Sequence, residues 1–444
     1  MSKSTQYLID HVNSRDADKP EFVQAAIEII NSLEGLFEEH PEYVDTFARL
    51  LEPERLIQFR VPWVDDKGTT QVNRAWRIVF NTAIGPGKGG LRFHPTVTAS
   101  VLSFLALEQT FKNSLTGLPM GGAKGGSDFN PKGKSDREVM AFCQSFMTEL
   151  YRHIGVNTDV PAGDIGVGAR EIGYLFGQYK RLTHAWEPVL TGKGQSYGGS
   201  LIRPEATGYG VVFYLNAMLK HNHKSIVGAR CLVSGSGNVA TFAAQKLIDL
   251  GAKVLTLSDS NGTIYFKAGM TKDDLSAIMH LKNVQRGRLS ELSLEGASYH
   301  KDLSPWNFDA DIAIPCATQN EVDEADAERL IGHGIWALVE GANMPLTNEA
   351  AEVLHKHNIL YGVAKAANCG GVMVSGFEIS QNQMRLSWSA TEVENKLQVK
   401  MEEIFLSCAE AGAKYGRSSI DYQTGANVVG AIRVLEAMNA QGCV

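Results

Sequence analysis

Five short, largely apolar segments in the second half of the chain constrain its fold more than any other feature: ARCLVSG (229–235), AKVLTLSD (252–259), ADIAIPCA (310–317), IWALVEG (335–341) and ILYGVAK (359–365). Each has the length of a strand, and helical or loop sequence separates it from the next. A strand without a polar face needs cover on both sides, which helices supply in a parallel sheet. The pattern therefore predicts a doubly wound α/β domain.

The first half follows a different rule. From about Pro20 to Leu51, Phe22, Val23, Ala26, Ile27, Ile30, Leu33 and Phe37 recur at helical spacing, which predicts amphipathic helices with apolar surface to spare for another subunit. Residues 55 to 82 turn β-branched and aromatic around Asp65-Asp66-Lys67-Gly68, the pattern of an antiparallel ribbon. Two glycine-rich stretches, GPGKGGLRFHP and LPMGGAKGGSDFNPKG, read as loops flanking a long helix that breaks at Gly117. Ser135 and Glu138 stand at capping-box spacing and open the next helix. TGKGQSYGGSLIRPEATGYG reads as a hinge, and the C-terminal stretch returns to helices. The expected organisation is one domain over 1–200, completed by 421–444, and a second over 201–420.

Charge and composition exclude several functions. With 42 basic and 49 acidic residues the net charge is −7, which argues against a chain-wide surface for nucleic acid or anionic membrane. Six cysteines lie scattered without CxxC pairs, so neither a disulfide framework nor a metal site is expected, and a reducing cytosol is the simplest compartment. The start lacks a signal-peptide pattern and no uncharged run reaches the roughly 18 apolar residues of a membrane span, so the expectation is a soluble, unexported, cytoplasmic protein.

Three motifs carry chemistry. In CLVSGSGNVATFAA, Gly235, Gly237 and Ala240 form GxGxxA between a strand and a helix. Gly235 permits the tight turn, Gly237 lets backbone approach a pyrophosphate, and Ser236, Asn238 and Val239 complete the turn at the helix N-terminus. Asp259-Ser260, at the end of the second strand, leaves the nicotinamide cofactor open. An acidic residue there normally holds the 2′-hydroxyl of NAD, whereas Ser260 with Lys282, Arg286 and Arg288 would suit the 2′-phosphate of NADP, which is the expected cofactor.

The second motif is a set of lysines in glycine or apolar surroundings: Lys88 in GPGKGG, Lys112 beside Gln109 on the long helix, and Lys124 in GGAKGG. Glycine neighbours let a lysine touch a compact ligand. Lys88, Lys124 and Lys193 are each followed by Gly rather than Ser or Thr, so this is no phosphate loop of the Walker type, and a carboxylate is the expected anion. The third motif is DVPAGDIGVGARE, in which Asp164 is either a helix N-cap or a general acid/base. Crowded cations would lower the pKa of one lysine, leaving an amine able to exchange protons with that aspartate, as carbonyl amination requires.

Together GPGKGGLRFHP, GLPMGGAKGGSDF, DVPAGDIGVGARE, RPEATGYG, SGSGNVA, PCATQN, EGANMP and ANCGGVMVSGFE resemble the hexameric-type glutamate dehydrogenases over nearly the whole chain, above all their NADP-specific branch. The resemblance implies an α/β protein with a substrate-binding and oligomerising domain built on a mixed sheet, a Rossmann-like NADP-binding domain, and a cleft between them. Position by position it implies that Lys124 and Asp164 are catalytic. Gln109 and Lys112 would hold the α-carboxylate, and Lys88, Thr191 and Ser375 the distal carboxylate. Asn343 and Asn368 would lie beside the cofactor, with Asp259, Ser260 and Lys282 at its 2′-phosphate. Cys369-Gly370-Gly371 stands where relatives carry Ala-Gly-Gly. The implied activity is reversible reductive amination of 2-oxoglutarate with ammonium and NADPH to L-glutamate, in a homohexamer without nucleic-acid or membrane partners. The competing readings are a leucine, valine or phenylalanine dehydrogenase, which would give no reason for a lysine and a hydroxyl at the distal end, and a catalytically silent metabolite sensor.

Overall fold

The computed structural model describes residues 2–443, and the chain divides into two compact units. The first comprises Met1–Arg203, Val372–Val393 and Asn427–Val444; the second comprises Pro204–Gly371 and Glu394–Ala426. Residues 372–393 thus lie in the first unit rather than within the 201–420 domain expected from sequence. Side-chain bonds within that unit explain the difference. Gln381 Nε2 donates to Ser200 Oγ (2.9 Å), Asn382 Nδ2 to the Gly198 carbonyl (2.7 Å), and Arg203 Nε to Ser375 Oγ (3.0 Å). The passage read as a hinge is therefore anchored up to Arg203.

The first unit is built on a mixed five-stranded sheet in the order β1-β2-β4-β3-β5, formed by β1 (Arg55–Val64), β2 (Thr70–Asn81), β3 (Gly87–Phe93), β4 (Gly122–Ser127) and β5 (Asp159–Gly163). β1 and β2 make the expected antiparallel ribbon, and Gly68 adopts φ +80° in its turn. Both glycine stretches, read as loops, are instead strands β3 and β4, running parallel to each other. Glycine is depleted in strands because it packs nothing, but here a side chain would have no room. A Cβ on Gly89 would overlap the Ala123 carbonyl oxygen, and one on Gly125 would come within 2.9 Å of Arg77 Cδ.

The helix Ala99–Leu115 lies over β4 and is capped by Thr98 Oγ1, which accepts from Val101 N. The capping box of Ser135 and Glu138 opens the helix Asp136–Leu150. Phe93, Phe129, Phe142 and Phe146 pack with Trp63 in one core, Phe129 and Phe142 stacked at 3.8 Å. The N-terminal helices bury Phe22, Ala26, Ile30, Leu33 and Phe37 within the same unit and leave Val23 and Ile27 half-buried. Exposed apolar residues appear on the ribbon as well, with Leu56, Val64 and Val72 42–62% exposed.

The second unit carries a fully parallel sheet, β13-β12-β11-β6-β7, with β6 (Arg230–Val233), β7 (Lys253–Val254), β11 (Ile312–Ile314), β12 (Ala337–Val339) and β13 (Leu360–Gly362). The segment AKVLTLSD departs from expectation. Only its first part, β7, joins that sheet, and β8 (Thr256–Asp259) turns into a separate antiparallel sheet with β9 (Gly262–Phe266) and β10 (Ala297–Lys301). The helices Ala206–His221 and Asn238–Asp249 pack closely, because Gly208 leaves room for the Ala243 backbone.

The glycine argument makes a paired prediction. Gly89→Ala should destabilise the protein by about 3 kcal/mol or more, since buried backbone must move. Gly177→Ala, on the exposed face of the helix Ala169–Thr183 with open space around it, should stabilise by about 0.5–1 kcal/mol. Thermal denaturation of the two variants beside the wild type checks both signs.

Candidate active site

Arg77 organises the centre of the first unit. From β2 its side chain passes beneath the bare backbone of Gly125 in β4, and Nη1 donates to the Gly89 carbonyl of β3 (3.1 Å). Nε then reaches Asp159 of β5 at 2.7 Å, in an ion pair with neither side chain exposed. Asn113 Nδ2, from the overlying helix, donates to the Lys88 carbonyl (2.9 Å). The strand carrying Lys88 is held from both faces.

β4 presents Lys124, and the turn after β5 presents Asp164. Lys124 Nζ lies 2.9 Å from Asp164 Oδ2, and Arg92 Nε of β3 lies 2.9 Å from the same oxygen. The turn is fixed by Val167 N donating to the Asp164 carbonyl and Phe93 N to that of Ile165, both 2.9 Å. Asp164 is not a helix cap; Gly168 caps the following helix, its N–H donating to Glu171 Oε2 (2.8 Å). Burial works to raise the Asp164 pKa, but Lys124 and Arg92 outweigh it and hold the carboxyl down at about 2. Burial lowers the Lys124 pKa; Asp164 opposes that, while Arg92 and Arg77 add to it. The pair is an ionised carboxylate beside an ammonium that gives up its proton more readily than a surface lysine.

A second group comprises Lys88, Arg203 and Ser375, with Thr191 next to Gly192, whose N–H bonds Glu378. Lys88 is 1% exposed, and burial together with Arg203 and Arg77 lowers its pKa well below the ordinary value, against Glu378 and Asp159. Arg203 bonds Ser375 Oγ, and the buried Thr191 hydroxyl has no hydrogen-bond partner. Two cations and an unsatisfied hydroxyl are groups with the chemistry to take an anionic ligand. Gln109 and Lys112 are half-buried on one face of the long helix; Gln109 Cγ lies over Gly89, and its Nε2 donates to Asn113 Oδ1 (2.7 Å).

In the second unit the GxGxxA turn has the expected form. Gly235 adopts φ +82°, and its N–H donates to Ser258 Oγ (2.8 Å). Gly237 caps the helix Asn238–Asp249 with open space in front of it, and Ala240 is buried. Ser236, Asn238 and Val239 lie at that helix start, as an anion-binding N-terminus requires. Asp259 is engaged within the protein: Oδ1 accepts from Asn261 N (3.0 Å) and Oδ2 from Leu289 N (2.9 Å), with Lys282 Nζ 3.8 Å away. Ser260 Oγ accepts from Arg288 Nη1 (2.9 Å). Asn343 and Asn368 are joined, Nδ2 of Asn368 donating to Asn343 Oδ1 (2.9 Å).

Sequence reasoning did not name Arg77, Arg92 or Arg203 and did not single out Arg288 from its neighbours. Arg92 and Arg203 lie inside the motifs above, so a charge within a glycine-rich motif was the available signal. Arg77 lies in a strand-like run with nothing to distinguish it.

This combination, a glycine-walled lysine–aspartate site in one unit and a GxGxxA nucleotide turn in another, has a known counterpart. A sequence model of the Glutamate/Leucine/Phenylalanine/Valine dehydrogenases matches residues 198–442, and one of the Glu/Leu/Phe/Val dehydrogenase dimerisation domain matches residues 53–181. The chain belongs to this dehydrogenase family. It is 56% identical to the NADP-specific glutamate dehydrogenase of Giardia intestinalis, over 100% of both chains. The structure is similar to that of Plasmodium falciparum glutamate dehydrogenase, with a TM-score of 0.98 and 49% identity, covering 100% of this chain and 95% of that one. It is also similar to the hetero-hexameric glutamate dehydrogenase from Thermus thermophilus, with a TM-score of 0.81 and 27% identity, covering 92% of this chain and 98% of that one.

Arg92→Met removes a cation that faces Lys124 and frees Asp164 to pair with Lys124 alone. Both changes favour the protonated amine, so the Lys124 pKa should rise. Competitive acylation of Lys124 across a pH series would read this as lower reactivity at a given pH; unchanged reactivity would contradict the electrostatic account.

Proposed function

We propose that the protein catalyses the reversible, NADP-dependent reductive amination of 2-oxoglutarate with ammonium to L-glutamate. The observation that carries this reading is the second cation cluster. Lys88 and Arg203, with the unpartnered Thr191 hydroxyl in the same unit, suit a substrate with a second carboxylate, whereas an aliphatic or aromatic side chain would leave two buried cations offset only by carboxylates already paired elsewhere.

Gln109 and Lys112 are assigned to the α-carboxylate, and Lys88, Thr191, Arg203 and Ser375 to the distal one. Lys124 and Asp164 exchange protons with the carbonyl oxygen and the incoming nitrogen as ammonia adds to C2 and water leaves. The lowered Lys124 pKa supplies an amine that gives up and takes back its proton more readily than a surface lysine, and the ionised Asp164 stabilises the cationic partner in between. The turn at Gly235–Val239 suits the pyrophosphate, Ser260, Lys282 and Arg288 suit a 2′-phosphate, and Asn343 and Asn368 are assigned to the nicotinamide end. Both Asp259 oxygens already accept backbone N–H groups, with Lys282 3.8 Å from one of them, so less of the carboxylate is open to a ribose hydroxyl, which supports NADP over NAD. NADPH, when bound, supplies the hydride.

The chain assembles into an oligomer, for which a homohexamer is proposed. The exposed Leu56, Val64 and Val72 lie within the segment matched by the dimerisation-domain model and supply an apolar contact surface. A cytoplasmic location is proposed with it. Among the described residues no helix is long and apolar enough to cross a membrane.

Absorbance at the nicotinamide band, with 2-oxoglutarate and ammonium, should show turnover with NADPH well above that with NADH. Lys124→Ala should cost roughly 10²–10⁴-fold in kcat. Near-normal turnover of that variant would remove its assigned role. Arg288→Ala should lower kcat/KM for NADPH about tenfold, a loss of a charged phosphate contact, and leave NADH little changed.

A further inference from the structure

Lys193 and Glu378 form an ion pair that the proposed chemistry does not use. Neither side chain is exposed, and Lys193 Nζ lies 2.7 Å from Glu378 Oε1. Stability alone does not account for such a pair, since well-packed apolar residues serve a core as well or better. Its other bonds all fall on either side of one residue. Lys193 Nζ donates to the Leu190 carbonyl (2.6 Å), just before Thr191. Glu378 accepts from the backbone N–H groups of Gly192 (3.0 Å) and Lys193 (3.3 Å), just after it. Thr191 N itself donates to the Pro161 carbonyl of β5 (3.0 Å). The segment needs this restraint, because Leu190 adopts φ +66°, which a branched side chain disfavours, and Gly192 follows at φ +85°. Glu378 lies three residues after Ser375 on the same helix, Gly370–Met384.

Glu378 also sets the local charge. Two carboxylates bear on Lys88, and of these Asp159 is committed to Arg77. Glu378 is the other, and it bears on Arg203 as well. Without it, Lys88 and Arg203 would face each other with no nearby counter-charge of their own.

We propose that the buried Lys193–Glu378 pair is a specificity-determining positioning element, which clamps the segment around Thr191 and balances Lys88 and Arg203 so that the pocket accepts a distal carboxylate. This rests on the function proposed above. Neither residue touches the reacting atoms, so the effect falls on recognition of the diacid and spares the chemical step.

The test compares glutamate with norvaline, which lacks the distal carboxylate, in the wild type, Glu378→Gln, and the double variant Lys193→Met/Glu378→Met. The expected result for Glu378→Gln is a KM for glutamate raised tenfold or more, a kcat within about threefold of wild type, and an unchanged KM for norvaline. The double variant, which removes both charges together, should melt close to the wild type and keep the glutamate defect. Recovery of the wild-type glutamate KM in the double variant would overturn the proposal, as would equal losses for both substrates. Calorimetric titration with glutarate separates this from the proposed reaction, because it needs no turnover. Binding weakened tenfold or more in Glu378→Gln supports the clamp even if the reaction assignment fails; equal affinity, or no binding by the wild type, overturns it.

Discussion

A guanidinium threaded under a strand of glycines sets the geometry of the first unit. Arg77 starts on β2, crosses beneath Gly125 of β4, bonds the Gly89 carbonyl of β3 and ends on Asp159 of β5. One side chain therefore ties together four of the five strands, including the two that carry Lys88 and Lys124. A buried arginine is tolerated because Asp159 and carbonyl oxygens satisfy its donors; removing either partner would strand a charge in the core. The glycines of GPGKGG and GGAKGG follow from this. They serve the lysines, and they also give the arginine its path and let the strand backbones approach.

The same arrangement gives two lysines unlike chemical character. Both lose solvent, and both feel Arg77. Lys124 has Asp164 against it at 2.9 Å. Lys88 meets a second cation, Arg203, and the two carboxylates that bear on it, Glu378 and Asp159, are each paired with another cation. The two lysines of one strand framework thus differ through the placement of their acidic partners, which is the setting for the roles proposed for them.

In the second unit an acidic residue at the end of the second strand turns out to be a weak guide to the cofactor. Asp259 spends its oxygens on the N–H groups of Asn261 and Leu289, which fold the segment carrying Arg288 back onto Ser260. The carboxylate that would hold a ribose hydroxyl in one protein here shapes a cationic corner. Identity at the position is less informative than where its hydrogen bonds go.

Much of this was legible in the amino-acid order. The apolar segments specify the parallel sheet, GxGxxA specifies the strand-to-helix turn, and the glycine-flanked Lys88, Lys124 and Asp164 mark the candidate site, because each depends on near neighbours in the chain. The strand character of β3 and β4 was hidden, since glycine argues for a loop unless the neighbouring strands are known to leave no room. The antiparallel turn-out of β8 depends on pairing with β9 and β10, segments without a distinctive pattern. Arg77 with Asp159, Arg203 with Ser375, and Lys193 with Glu378 lie far apart in sequence, and only the folded backbone brings them to bonding distance. The chain's local chemistry determines which residues can act; long-range packing decides which charges they meet, and the field of those charges is what sets their protonation and their ligand.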